Sequence, residues 1–164
     1  MAHQVSWWVC MLMISSSDVD EIDRFKKEMA RLFLMSDLGA LSFYLGIEVK
    51  QEAEGMTLNQ SAYVARIMEK AGLAGCNPVH TPMEPQFKLN KESSAPAMNA
   101  TEYRSLVGCL RYLINTRPDL AYSVGYVSRF MEKPTIEHLA AVQRLLRYVA
   151  RTINCGCLYT SVSI

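Results

Sequence analysis

The chain has 164 residues, half of them apolar and a fifth charged, which suits one domain or two small lobes with a real core and excludes a chain disordered by composition. Seventeen Lys+Arg against sixteen Asp+Glu leave a formal charge of +1, so the molecule is no general polycation and any basic footprint must be local. The longest apolar run, Trp7–Ile14, has eight residues and no Lys or Arg before it; that excludes a membrane span and argues against a secretory signal.

That run, closed by Ser15-Ser16-Ser17, is expected as a buried strand. Asp18 or Ser17 then caps a helix over about 18–34, with acids in its first turn and Val19, Ile22, Phe25, Met29, Leu32 and Phe33 at helical spacing. A strand is expected at Phe43–Lys50, a turn at Glu52–Gly55, and a returning strand at Met56–Gln60, together a hairpin. Ser61 opens a helix with Val64, Ile67, Met68 and Ala71 inward, ended by Gly72.

Residues 74–99 hold Pro78, Pro82, Pro85 and Pro96 and read as a connector with few regular elements. Everything after it reads as helical, with Thr101 and Asp119 as caps, a break at Arg117-Pro118 and a last helix from Pro134-Thr135. The fold class is therefore α+β.

Charge is uneven along the chain. Residues 1–98 carry nine Lys+Arg against twelve Asp+Glu, and residues 99–164 carry eight against four, seven of the eight being Arg. An arginine-rich half suits planar, phosphate-like partners, although a solvated helical surface has the same composition. On the helix Glu102–Asn115, Tyr103, Leu106, Val107, Leu110, Leu113 and Ile114 form a core stripe, while Arg104, Gly108 and Arg111 share another face. A glycine in mid-helix costs about 1 kcal/mol relative to alanine. It serves either close helix packing or close approach to a nucleic-acid backbone between two arginines. On the last helix Arg144, Arg147 and Arg151 lie opposite the apolar face, either as a solubilising row or as a phosphate track.

Metal chemistry has little support. Asp18, Asp20, Glu21 and Asp23 lack the alternation of a calcium loop because Ile22 interrupts it. His3, His80 and His138 are isolated, and neither Cys76/His80 nor Cys155/Cys157 has zinc-module spacing. Five cysteines, an odd number, read as free thiols in a reducing compartment. No phosphate-binding glycine loop or nucleophile elbow occurs.

Several motifs in series carry a resemblance. Met35-Ser36-Asp37-Leu38-Gly39, Tyr44-Leu45-Gly46-Ile47-Glu48-Val49, Thr81-Pro82-Met83, Tyr103–Leu113, Thr116-Arg117-Pro118-Asp119-Leu120-Ala121-Tyr122, Val127–Met131 and His138 with Leu146-Arg147-Tyr148 together resemble the reverse transcriptase of copia-type LTR retrotransposons. The resemblance implies three segments: 1–73, the end of the polymerase palm with a primer-gripping hairpin; 74–99, the Pro-rich connector; and 100–164, a helical thumb and the start of a connection region. It implies nucleic-acid contact by Tyr44, Leu45 and Gly46 at the hairpin and by Arg104, Gly108, Arg111 and Tyr112 on the thumb helix, with Arg144 and Arg147 as a further row. The implied partner is a template–primer duplex, RNA–DNA or DNA.

Counting back from Ser17-Asp18, the family's Tyr-Val-Asp-Asp motif falls on Trp8-Val9-Cys10-Met11. Cys10 and Met11 thus stand where the family has catalytic aspartates, and soft sulfur ligands do not hold the magnesium of the intact enzyme. No metal or cofactor is expected for this chain. It reads as a truncated polymerase remnant that lacks fingers, upstream palm and RNase H parts and is catalytically inactive. A non-catalytic duplex-binding module and a decayed reading frame are the alternatives. An intracellular location, cytoplasmic or nuclear, is expected, with no membrane contact.

Overall fold

The computed structural model describes residues 12–16, 18–52, 55–84 and 88–160. The chain divides into two compact units, Met1–Ala40 and Leu41–Ile164. In the first, α1 (Val19–Leu32) is capped by Asp18, whose carboxylate accepts hydrogen bonds from the N–H groups of Asp20 and Glu21. Lys26 pairs with Asp37 at 3.0 Å, and Asp37 also accepts from the Gly39 N–H; the backbone and Lys26 bonds together hold its carboxyl below the usual range. None of the residues of α1 is buried. Trp7–Met11 of the expected first strand lie outside the described residues, and Leu12–Ile14 adopt no strand.

The second unit pairs a four-stranded antiparallel sheet, in the order β1-β2-β3-β4, with a helical core. The strand expected at Phe43–Lys50 is in fact two, β1 (Phe43–Tyr44) and β2 (Ile47–Glu52). The two-residue turn between them has φ of 49° at Leu45 and 85° at Gly46. Positive φ at both positions matches the right-handed twist of a tight hairpin, and the unbroken apolar spelling of the segment hides it. β3 (Gly55–Asn59) returns against β2 in the register Val49↔Leu58, the hairpin expected from sequence.

α2 (Ser61–Lys70) follows at once, and its N-cap, Gln60, supplies no side-chain bond. Glu48 of β2 does so instead, its carboxylate accepting from the Ser61 hydroxyl at 2.8 Å and the Ala62 N–H at 2.9 Å. A negative group is favoured at that helix end by the free N–H groups and the helix dipole.

α3 (Ala100–Leu113), α4 (Ala121–Ser128) and α5 (Ile136–Arg151) supply most of the core. Tyr103, Leu110, Leu113, Val124, Val127, Val142, Leu145 and Leu146 are fully buried, and Val64 and Ile67 of α2 join them. The cap of α3 is Asn99, not Thr101: its side-chain oxygen accepts from the N–H groups of Thr101 and Glu102. Asp119 is likewise no cap. It lies in the 3-10 turn Pro118–Leu120 and receives both Nε and Nη2 of the buried Arg117, at 2.9 and 2.8 Å. The N–H of Thr135 donates to Nδ1 of buried His138, whose Nε2 reaches the Asn90 carbonyl at 3.1 Å; His138 therefore carries its proton on Nε2 and ties the connector to α5.

The helical end of the chain hides one further strand. β4 (Cys157–Thr160) crosses back and pairs with β3 through Leu58↔Cys157 and Thr57↔Leu158. No helix among the described residues is long and apolar enough to cross a membrane.

Candidate nucleic-acid interface

The outward face of α3 is built by its own periodicity. Tyr103, Leu106, Val107, Leu110 and Leu113 turn inward, which leaves Arg104, Gly108 and Arg111 exposed one turn apart. A Cβ added at Gly108 would meet no atom within 4 Å outside its own helix. Close helix packing is therefore not what this glycine serves; the bare backbone faces open space between two arginines. Arg104 donates from Nε to the Met131 carbonyl at 2.9 Å and remains exposed. Neither Arg104 nor Arg111 pairs with a carboxylate among the described residues.

The β1–β2 turn is held against this helix. The Tyr112 hydroxyl donates to the Leu45 carbonyl, and a Cβ at Gly46 would stand 3.9 Å from the Tyr112 ring and 4.0 Å from the Arg66 guanidinium. The left-handed backbone of Leu45 carries steric strain of order 1 kcal/mol, and its side chain is 71% exposed at the tip. Tyr44 is half-buried at the end of β1. Tyr63 of α2 packs edge-on to Tyr112, ring centroids 5.1 Å apart. Burial first, and then the neighbouring Cys109 thiol, push the Tyr63 phenol up to about 12, so that ring stays neutral beneath the turn. Hairpin tip and α3 thus form one surface.

Arg144 and Arg147 are placed differently. Arg144 pairs with Glu84 at 2.8 Å and donates to the Thr81 hydroxyl, and Arg147 donates to the Asn77 carbonyl at 2.7 Å. They hold the connector loop onto α5, around a cavity of about 520 Å³ lined by Cys76, Pro82, Met83 and Gln143. Two cations that sequence patterns do not single out stand beside the α3 face instead. Arg66 and Lys70, one turn apart on α2, are both exposed, and Lys70 donates to the Ser105 hydroxyl at 2.7 Å. Their i, i+4 spacing on the side away from Val64 and Ile67 is the signal that the sequence offers for them. Cys10 and Met11 lie outside the described residues. Among the described residues no group of three or more His, Cys, Asp or Glu gathers that could hold a metal ion, and Cys76, Cys109, Cys155 and Cys157 are free thiols.

Comparison with known proteins agrees with the motif series. The chain is 38% identical over 145 residues to the retrovirus-related Pol polyprotein from transposon RE1 of Arabidopsis thaliana, covering 88% of this chain and 10% of that polyprotein. It is 35% identical over 156 residues to the Pol polyprotein from transposon TNT 1-94 of Nicotiana tabacum, covering 89% of the chain and 12% of the polyprotein. An uncharacterized mitochondrial protein of Arabidopsis thaliana is 39% identical over 130 residues, 79% of this chain and 53% of its own length. The chain thus spans about a tenth of the Pol polyproteins and about half of that shorter relative. No solved structure matches. Residues 4–85 match the profile of the reverse transcriptase (RNA-dependent DNA polymerase) family, and the chain belongs to that family.

Proposed function

We propose that this chain is a template–primer-gripping piece of a copia-type reverse transcriptase, which binds duplex nucleic acid and does not polymerise by itself. What supports the reading most directly is Gly108: an exposed mid-helix glycine with open space above it, flanked by arginines that pair with no carboxylate among the described residues. A helix gains nothing in stability from such a residue, whereas a phosphate backbone can lie closely against it.

Magnesium fits this chain poorly. Two-metal phosphoryl transfer needs hard oxygen ligands, and the positions that correspond to the family's aspartates offer the thiol of Cys10 and the thioether of Met11. The chain's part is to hold the duplex. Fluorescence anisotropy with a labelled RNA–DNA hybrid tests the binding half: affinity is expected to fall steeply with salt, the log–log slope growing by about 0.9 per phosphate contact. Absence of binding at low salt overturns the reading. Primer extension with magnesium or manganese tests the other half, and template-dependent incorporation by the chain alone overturns it.

A further inference from the structure

The α3 face is bordered by a second row of cations that neither the motif series nor the family comparison assigns. Resting on the duplex-binding reading, we propose that Arg66 and Lys70 of α2 contact phosphates of the same duplex that lies along Arg104, Gly108 and Arg111, so that two neighbouring helices grip it together.

The two rows are adjacent. Lys70 reaches across to Ser105 at 2.7 Å, with the Cys109 sulfur at 3.8 Å, and the Arg66 guanidinium stands beside the hairpin turn at Gly46. Helices in contact run about 8–10 Å apart. Along its own helix each row has a spacing that suits a nucleic-acid strand: four residues set Arg66 and Lys70 about 6 Å apart, and seven set Arg104 and Arg111 about 10 Å apart, at about 1.5 Å per residue. At those spacings each side chain of a row can reach a phosphate of its own.

Charge and chemistry agree with the placement. Arg66 and Lys70 form no ion pair among the described residues, whereas Arg117 and Arg144 are both committed to carboxylates. Arg66 lies over the Tyr63 ring at 5.7 Å and is exposed. Glu69, the one acid of α2, lines a cavity with Ala65, Met68 and Leu73 and forms no ion pair with either cation among the described residues. Glu48 is occupied at the α2 N-terminus. Between the rows lie Ser105, Cys109 and Tyr112, with the Tyr112 hydroxyl already bonded to Leu45. Single-strand sites add stacking on aromatic side chains, and of these residues only Tyr112 is aromatic, with Tyr63 packed edge-on to it. The ligand is therefore a duplex read through its backbone.

The test uses the full chain and a labelled RNA–DNA hybrid at a series of salt concentrations. The double variant R66Q/K70Q is expected to bind more weakly and to lose about 1.8 from the log–log salt slope, about 0.9 for each phosphate contact. Both side chains are exposed, so its thermal midpoint is expected to stay at the wild-type value. An unchanged slope in R66Q/K70Q, with a reduced slope in R104Q/R111Q, overturns this inference alone and leaves the α3 reading standing. Salt-dependent binding absent from the wild type overturns both. Tighter binding of the matching single strand than of the hybrid also overturns the inference.

Discussion

Gly108 separates two demands that most residues satisfy together. In a helix interior glycine is worth about 1 kcal/mol less than alanine, and no neighbour occupies the space a side chain would take. Gly108→Ala is therefore expected to raise stability to denaturant by about 1 kcal/mol, while Gly108→Leu folds normally and binds the RNA–DNA hybrid more weakly. Chemical denaturation and anisotropy on the same two variants check both signs. Arg117 and Asp119 give a second residue-scale expectation. Burial alone would lower the Arg117 pKa, but the Asp119 carboxylate outweighs it and the guanidinium stays charged. The Arg117 hydrogen bonds in turn hold the Asp119 carboxyl below its ordinary value of 3.8. A depressed carboxylate stabilises the fold fully above its unfolded value and loses that contribution as pH falls through the folded one. Asp119 is 45% exposed, so solvent screening keeps its own share near or below about 1 kcal/mol. Asp119→Asn is expected to show a stability deficit that is constant above about pH 5 and shrinks below about pH 4, measured by urea titrations across that range.

Elements in this fold are closed by partners distant in sequence. α2 receives its N-terminal cap from Glu48 on β2, not from its own first residues. The β1–β2 turn is latched by Tyr112, 67 positions later. β4 joins the sheet because Gly156 lets the chain pass over β3, where an added Cβ would collide with the Leu58 carbonyl. Gly156→Val is accordingly expected to cost about 1–3 kcal/mol through forced displacement and to free the β3 amides facing β4 for hydrogen exchange, with the β2–β3 pairing retained. Equal protection of those amides in the variant and the wild type contradicts that account. The same geometry explains why the last strand is invisible locally. Cys157–Thr160 is only four residues long and mostly exposed, and it has neither the length nor the alternation of a legible strand.

Across the molecule, the helices were legible because they rest on spacing. The stripes of α2, α3 and α5 follow from the 3.6-residue period, and the same residues form the core. The proline-bearing connector and the hairpin were legible from turn chemistry. Charge asymmetry pointed to the arginine-rich half, but could not sort its members, since a free arginine and a paired one are spelled alike. Arg144 and Arg147 hold the connector, while Arg66 and Lys70, from the net-acidic half, stand beside the α3 face. Family membership, the α+β class and the helices follow from short-range pattern and motif order, where each residue's neighbours in the chain suffice to set its role. The joined hairpin and helix surface, the fourth strand and the identity of the exposed, unpaired cations depend on which remote segments meet, because a cation's availability is decided by the carboxylates that folding brings within reach and by how far the side chain is buried.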